Sequence, residues 1–312
     1  MRRAIEIGIL GAVCWAGQIR ADEPARRSVA YLSVEVPRWS RESHCFSCHN
    51  NGDAARALFV AKSVDRALLA ETTRWLSRPD AWDGQGAEGP SNDKRLARLQ
   101  FALALATAIE TGAITDRSVL RKAADRVAAD LSLEGSWTSE DGGTVGSPVT
   151  YGSRLATAMA IRVFRIDGVD RHEKHLDAAE RWLRSRTIEN VVEASAVLMI
   201  EPKGNGAATV EGRRAMTFLL EAQSKGGGWG PYPRSPVEAF DTALALIGLA
   251  GLRRDNQIDA AIDRGRSALV AMQSRDGSFP ASTRPPGGES YAQGISTTGW
   301  ATIALLQTSG QR

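Results

Sequence analysis

Blocks of small and apolar residues alternate along the chain with stretches rich in glycine and proline. The blocks at 101–109, 155–164, 241–246 and 298–305 each contain at most one charged residue. Their alanines, glycines and threonines predict helices that approach their neighbours closely. The glycine- and proline-rich stretches, such as 226–236 and 278–288, predict loops that end the preceding helix. The pattern indicates a chain of helices joined by long and short loops.

A frame of Gln, Gly and an aromatic residue recurs just before several of these blocks. The copies are Gln223, Gly227 and Trp229; then Gln273, Gly277 and Phe279; then Gly135 and Trp137, with Leu131 at the Gln position. Weaker copies lie around Trp75 and Trp182. The aligned positions are spaced by 51, 56, 36 and 50 residues, a range typical of arrays of helical hairpins. Such an array forms either an open solenoid or a closed ring.

The best copy, Arg214-Ala215-x-x-Phe218-Leu219-x-x-x-Gln223-x-x-x-Gly227-x-Trp229, resembles the QW motif of the squalene–hopene and oxidosqualene cyclases. With the block at 241–246 it is similar to the α/α toroids of triterpene cyclases and of protein prenyltransferase β subunits. The resemblance covers roughly residues 64–307. It implies an all-α fold, a barrel of five to six antiparallel helical hairpins, in which residues 53–62 are a candidate for a helix of the sixth. It also implies structural roles for the repeat residues Gln223, Trp229, Gln273, Phe279 and Trp137.

The sequence leaves enzymatic activity open, but the catalytic motifs of the families that the repeats resemble are missing, and this counts against it. Hopene-type cyclases protonate their substrate with an Asp-x-Asp-Asp motif, and prenyltransferases bind zinc through Asp, Cys and His. Neither set is present between residues 63 and 312. We interpret the acids in the repeats as helix caps or solvated loop residues; they are Glu140, Asp141, Asp83 and Asp241. We interpret the aromatic candidates for a substrate cavity as core residues; they are Trp182, Trp300, Tyr151 and Phe164.

Residues 1–21 are typical of an export signal, with Arg2 and Arg3 before the apolar stretch 5–17. We therefore expect a periplasmic or secreted protein with three parts: the signal peptide (1–21), an N-terminal segment (22–62) and the toroid (63–312). No later segment is apolar enough to predict a membrane span. The 43% hydrophobic residues and net charge of +3 are those of an ordinary globular protein, and they do not predict a nucleic-acid surface.

The N-terminal segment contains Cys45-Phe46-Ser47-Cys48-His49, the C-x-x-C-H pattern of covalent c-type haem attachment. Two thiols at this spacing each bond one haem vinyl group, and the following imidazole binds the iron. The segment resembles c-type cytochromes in these five residues and little else. We expect haem c on Cys45 and Cys48 with His49 as an axial ligand. Candidates for the second axial ligand are His172, His175, Met159, Met199, Met216 and Met272.

Two alternatives for the motif stay open. Cys45 and Cys48 could form a disulfide in an oxidising compartment, or His44, Cys45, Cys48 and His49 could bind zinc. The main hypothesis for function is an exported haem protein that exchanges electrons with a redox partner protein. The alternatives are a terpenoid cyclase-like or prenyltransferase-like enzyme that binds an apolar small molecule in the toroid, and a ligand-binding toroid with a structural Cys45–Cys48 disulfide.

Overall fold

The computed structural model describes residues 22–84, 93–139, 145–204, 207–253, 255–282, 284 and 289–309, and these ranges contain helices and no strand. The helices in chain order are α1 (Glu23–Ser43), α2 (Ala55–Ala61), α3 (Ala70–Leu76), α4 (Lys94–Glu110), α5 (Ser118–Ala129), α6 (Ser153–Asp167), α7 (Glu173–Ser185), α8 (Val191–Ile200), α9 (Val210–Ala222), α10 (Ala239–Ala250), α11 (Asn256–Met272) and α12 (Tyr291–Thr308). A π-helix, Cys48–Ala54, runs directly into α2, and short 3-10 helices lie at Pro79–Gly84 and Asp170–His172.

These helices form a closed ring of six hairpins. The even-numbered helices line the inside, and each contacts the next even-numbered helix along the chain. Helix α12 contacts the π-helix and α2, which closes the ring. The odd-numbered helices lie outside, with α1 packed against both α2 and α12. The predicted all-α toroid is confirmed, and the choice between open solenoid and closed ring is settled in favour of the ring.

The two layers differ in sequence because they differ in surroundings. Inner helix α4 is buried at every position from Leu99 to Ile109, because other helices surround it on all sides. Outer helix α7 buries only Leu176, Ala179 and Leu183, which lie on one face, and its other positions are polar apart from the partly exposed Ala178 and Trp182. The small-residue blocks of the sequence thus correspond to the inner layer.

The Gln-Gly-Trp copy after α9 fastens one hairpin to the next. Gln223 donates to the carbonyls of Gly227 (2.7 Å) and Ala261 (2.8 Å), the latter on outer helix α11. Trp229 is fully buried, and its indole N–H donates to the carbonyl of Leu219 at 2.7 Å. Its backbone N–H donates to Thr242 on inner helix α10. We call this set of contacts the α9 tie.

The copy after α11 fastens the last hairpin to the first, and we call it the seam tie. The Gln273 amide donates to the Pro24 carbonyl (2.9 Å) and the Ser28 hydroxyl (2.7 Å) of α1. Beside it, Arg266 donates to Thr308 at the end of α12 and also to Asp22. The ring is therefore closed by hydrogen bonds between the two ends of the described chain.

Each tie also contains a glycine with a left-handed backbone at the point of closest approach. Gly227 (φ 91°) and Gly277 (φ 96°) face the next outer helix. A Cβ atom on Gly227 would lie 2.6 Å from the Arg264 carbonyl oxygen, and one on Gly277 would lie 2.3 Å from that of Arg27. Glycine is required at both positions for its conformational freedom and for its lack of a side chain. Gly135 (φ 94°) in the third copy approaches Ala178 of α7 in the same way.

The N-terminal segment is part of the ring. Residues 23–61 form its first hairpin, α1 followed by the π-helix and α2. The predicted boundary between residues 62 and 63 therefore falls within the ring, between its first and second hairpins. The export signal predicted for residues 1–21 lies outside the described residues. Where the chain is described, no helix is long and apolar enough to cross a membrane.

Candidate functional site

The C-x-x-C-H motif occupies the turn between the two helices of the first hairpin. Helix α1 ends at Ser43, its C-cap His44 has a left-handed backbone (φ 51°), and the π-helix begins at Cys48. Ser47 caps this start by accepting a hydrogen bond from the backbone N–H of His49 at 3.2 Å. Phe46 stacks on Trp75 with ring centroids 4.7 Å apart. The motif is thus held against α3 by packing as well as by its own turn.

The two cysteines are free thiols, and both are partly buried. Burial raises the pKa of the Cys48 thiol to about 12, so this group stays protonated at neutral pH. No disulfide joins them in the structure, so the disulfide alternative gains no support. Among the described residues no group of three or more His, Cys, Asp and Glu side chains is arranged to hold a metal ion. The zinc alternative for His44, Cys45, Cys48 and His49 is therefore not supported by the structure.

His49 points toward inner helix α12. Its Nδ1 lies 3.0 Å from the hydroxyl oxygen of Ser296, and burial lowers the pKa of the imidazole to about 4. The His49 imidazole is therefore neutral at neutral pH, and its Nδ1 shares a hydrogen bond with the Ser296 hydroxyl. Ser296 also lies close enough to Asp53 to lower the pKa of its carboxyl group. The motif is in this way connected to the inside of the ring.

The candidate second haem ligands are scattered. His172 is buried beyond the C-terminal end of α6, where its Nε2 lies 2.8 Å from Asp167. The imidazole of His175 lies beside that of His172, with ring centroids 6.0 Å apart. The inner helices all run in one direction, so this is the end of the ring opposite the motif. Met159 contacts Arg56 inside the ring. The remaining methionines pack at the edge of the core; they are Met199, Met216 and Met272.

A cluster of polar and aromatic side chains from separate elements lies inside the ring. We call it the central cluster: Asp53 of the π-helix, Arg56 of α2, Gln100 of α4, Tyr151 of the loop before α6, and Trp300 of α12. All five are at most 5% exposed. Phe240 of α10 adds an aromatic ring 6.1 Å from that of Trp300. Four inner helices therefore contribute, together with the π-helix and the loop before α6.

Asp53 accepts hydrogen bonds on both carboxylate oxygens. Tyr151 donates to Oδ1, and the Gln100 amide donates to Oδ2 at 2.8 Å. Burial raises the pKa of Asp53, an effect opposed by the nearby Arg56 charge and by these hydrogen bonds. Tyr151 reaches this position with a left-handed backbone (φ 62°), a conformation that costs a non-glycine residue about 1 kcal/mol or more. A raised carboxyl pKa inside a ring lined with aromatic side chains is typical of a general acid.

Arg56 is a buried cation without an ion-pair partner. Its guanidinium lies over the Trp300 ring, 3.9 Å from the centroid, and its Nη1 is 3.9 Å from the sulfur of Met159. No carboxylate of the described residues lies within 4.0 Å of it. Two further polar atoms of the cluster are buried and have no hydrogen-bond partner: Nε1 of Trp300 and Oε1 of Gln100.

Asp241 is placed differently from our interpretation as a cap or solvated loop residue. It is fully buried at the start of α10, and both its oxygens accept from Arg284, at 2.8 and 2.9 Å. Arg284 also donates to Glu238 and to the Gly146 carbonyl, across the ring. Asp83 likewise belongs to an ion-pair network, with Arg98 and Arg126. Glu140 and Asp141 lie outside the described residues.

Two of the four aromatic residues that we interpreted as core residues belong to the central cluster, namely Trp300 and Tyr151. The other two lie elsewhere: Phe164 stacks on His172, and Trp182 is partly exposed on α7. Sequence reasoning missed Asp53, Arg56 and Gln100. The available signal was a charged or amide residue inside an otherwise apolar helix, as Gln100 is between Leu99 and Phe101.

No family model matches the chain, but solved structures share its fold. The apo structure of MstE, a type II terpene cyclase from Scytonema, is 15% identical with a TM-score of 0.57, over 92% of this chain and 97% of that one. A variant of MstE in complex with its substrate, geranylgeranyl dihydroxybenzoate, is 14% identical with a TM-score of 0.52, over 90% and 98%. A possible member of the GH105 family from Klebsiella pneumoniae is 13% identical with a TM-score of 0.57, over 98% of both chains.

These likenesses show the fold. The chain has the α/α toroid of type II terpene cyclases, as the resemblance in the repeats implied. The same architecture in a possible GH105 member means that the toroid by itself does not select a substrate.

Proposed function

We propose that the chain is a terpene-cyclase-like enzyme in which Asp53 protonates an alkene of an apolar substrate held inside the ring. The observation that carries the proposal is the position of Asp53: a buried carboxyl at the centre of the toroid, with raised pKa and aromatic rings beside it. MstE, which shares the fold, is a type II terpene cyclase and binds geranylgeranyl dihydroxybenzoate. An isoprenoid is accordingly the class of substrate that we propose here.

The neighbours of Asp53 suit this step. The proton would pass from the carboxyl group to an alkene carbon, leaving a carboxylate on Asp53 and a carbocation on the substrate. The hydrogen bonds from Tyr151 and Gln100 and the charge of Arg56 stabilise the carboxylate. The rings of Trp300, Tyr151 and Phe240 are the aromatic groups that could stabilise the cation.

Deuterium transfer tests the proposal. Purified protein is incubated in deuterium oxide with squalene or with a geranylgeranyl-substituted phenol, and products are analysed by mass spectrometry for deuterium on carbon. We expect incorporation with the wild type and a loss of about 10²-fold or more in Asp53→Asn, the usual contribution of a general acid. Asp83→Asn, which alters an acid of the Arg98 and Arg126 ion-pair network away from the central cluster, is the control. Equal incorporation by Asp53→Asn and the wild type would exclude Asp53 as the acid.

We propose as a second candidate an exported c-type haem protein with a redox partner, and a specific observation favours it. Cys45 and Cys48 are free thiols in one turn, and Ser296 engages Nδ1 of His49, which leaves Nε2 as the nitrogen for iron. The residues present therefore fit haem c, with Cys45 and Cys48 as attachment sites and His49 as an axial ligand. Haem would supply one-electron transfer. The two candidates are compatible, because the haem motif and Asp53 are separate residues.

Haem attachment is tested in a host with working haem-maturation machinery. Tryptic peptides spanning Cys45 to His49 should carry the mass of haem after denaturation, because thioethers survive it. Cys45→Ser and Cys48→Ser should each sharply reduce the yield of holoprotein, whereas Ser47→Ala should not. Colourless, folded wild-type protein with unmodified Cys45 and Cys48 would remove this candidate.

A further inference from the structure

We infer that the central cluster binds a carboxylate at one end of an otherwise apolar ligand, with Arg56 as the residue that pairs with it. The inference deepens the proposed function by naming a chemical class of substrate for the same interior site. It rests on that proposal in assuming that the inside of the ring accepts an apolar molecule and that Asp53 carries a proton.

The first observation is the unmatched charge of Arg56. The side chain is 5% exposed, and its only hydrogen-bond partner in the described part of the chain is the thioether of Met159. A thioether is a weak acceptor, and a guanidinium carries five N–H donors. Buried charges in proteins are normally paired, because an unpaired charge in a low dielectric is costly. The position beside Arg56 that a protein carboxylate would normally occupy is therefore available to the carboxylate of a ligand.

The second observation is independent and concerns neutral groups. Nε1 of Trp300 and Oε1 of Gln100 are buried without a partner, in residues that are each 1% exposed. An unpaired buried donor or acceptor costs about 1–3 kcal/mol. The Trp300 N–H is a donor that a carboxylate oxygen from outside the chain could satisfy together with Arg56. Oε1 of Gln100 is an acceptor, and a carboxylate would leave it unpaired.

The surrounding charges favour an anion over a neutral group. The charged or titratable groups that act on Arg56 are Asp53, Tyr151 and Arg162. With Asp53 carrying the proton that the proposed reaction needs and Tyr151 neutral, only positive charges remain. A carboxylate matches the planar guanidinium in a bidentate pair. The ligand's body meets apolar and aromatic groups, namely Phe240, Met159 and the faces of Tyr151 and Trp300.

Unreactive probes of one chain length test the inference by isothermal titration calorimetry. Laurate, dodecanol and dodecylamine carry an anionic, a neutral and a cationic end, and all are used below their micellar concentration at neutral pH. We expect the wild type to bind laurate at least about tenfold more tightly than dodecanol, as one charged pair would give, and dodecylamine most weakly. Equal affinities for laurate and dodecanol in the wild type would overturn the inference without any variant.

Variants at Arg56 test whether this residue causes the preference for laurate over dodecanol. Arg56→Met should lose at least about tenfold in laurate affinity and keep dodecanol affinity within about twofold, whereas Arg56→Lys should retain part of the laurate preference. Arg165→Met is the matched control, because Arg165 pairs with Glu180 away from the cluster, and it should bind laurate as the wild type does. Unchanged laurate affinity in Arg56→Met would place the laurate elsewhere and refute the inference.

Failure of this inference is distinguishable from failure of the proposed function. Asp53→Asn should abolish deuterium transfer but still bind laurate, because the amide keeps the shape of the site and removes no cation. Laurate preference without deuterium transfer in the wild type would support an interior binding site that lacks the acid step. Deuterium transfer without laurate preference would support the acid and refute the carboxylate.

Discussion

The α9 tie and the central cluster both bury polar groups, but they satisfy them differently. In the tie, the Gln223 amide donates to two carbonyls and the Trp229 indole donates to a third. In the cluster, Arg56 has no carboxylate within ion-pair distance, and Trp300 and Gln100 each leave one buried atom unpaired. The two indoles are equally buried, with Trp229 0% and Trp300 1% exposed, so burial does not explain why only the first is hydrogen-bonded.

Between these two regions the contrast separates residues that hold the ring together from residues that are available to a ligand. An unpaired buried atom does not mark a ligand site by itself, since Nε1 of Trp137 in the third copy of the frame is also unpaired. A fully paired polar group adds specificity and stability, whereas an unpaired one lowers stability and persists where a ligand or a reaction uses it. Substitutions should therefore act in opposite directions in the two regions. Loss of a tie should lower the free energy of unfolding, and loss of a cluster charge should leave it unchanged or raise it.

Trp229→Ala should have the largest effect. The side chain is fully buried and hydrogen-bonded, so we expect a loss of about 3–5 kcal/mol in the free energy of unfolding, the usual range for truncating a buried Trp. Denaturant titration measures it. Trp182→Ala, at a partly exposed position of α7, should cost clearly less. An unchanged unfolding midpoint for Trp229→Ala would mean that the tie does not stabilise the ring.

Gly277→Ala should come next, because it strains the seam tie. The new methyl group would lie 2.3 Å from the Arg27 carbonyl oxygen in a left-handed backbone. Gly112→Ala is a matched control, since Gly112 has a similar φ of 75° and no atom within 4 Å of an added Cβ. The control should lose about 1–2 kcal/mol from backbone strain alone, and Gly277→Ala should lose more in the same thermal unfolding assay. Equal losses would indicate that α1 moves away from the loop without cost.

Asp53→Asn should have the smallest effect, and of opposite sign. Burial raises the pKa of Asp53, so the folded state holds a proton at pH values where the unfolded state has lost it. Wild-type stability therefore falls as pH rises above the unfolded pKa of about 3.9. The variant does not titrate, so its advantage should grow from about pH 4 toward neutrality and reach about 1 kcal/mol.

Asp83→Asn is the control for this pH dependence. Arg98 and Arg126 lower the pKa of Asp83, so its ionised form stabilises the fold above the unfolded pKa, and that contribution is lost as pH falls. Asp83→Asn should accordingly be less stable than the wild type near neutrality. A lower stability of Asp53→Asn at neutral pH would place Asp53 among the structural residues. Unfolding followed by circular dichroism over this pH range tests both variants.

The fold could be predicted from the sequence because its signals are local. Gln223, Gly227 and Trp229 lie within one turn and one loop, and their spacing repeats at Gln273, Gly277 and Phe279. The first hairpin was harder, since α1 and α2 have no copy of the frame. Closure of the ring depends on contacts between α1 and the loop after α11, which no local pattern indicates.

The central cluster could not be predicted because its members are far apart in the chain. Asp53 and Tyr151 are separated by 98 residues, and Asp53 and Gln100 by 47. No fixed spacing joins them, so a search for Asp-x-Asp-Asp or for zinc ligands passes over them. Asp241 was misinterpreted for the same reason, since its partner Arg284 lies 43 residues away. Only Cys45, Cys48 and His49 form a candidate site that local spacing reveals, and their haem remains a prediction.

Arg266 has a consequence for how the chain can be rearranged. It donates to Thr308 and to Asp22, two residues at opposite ends of the described chain. Residues 22 and 308, which one side chain holds together, can be joined by a short linker in a chain that is opened elsewhere. A circular permutant opened in the short connection between α10 and α11 should fold into the same ring, because the order of hairpins around it is unchanged. The seam would then be an ordinary covalent junction, and the new ends would lie between two hairpins that share the α9 tie.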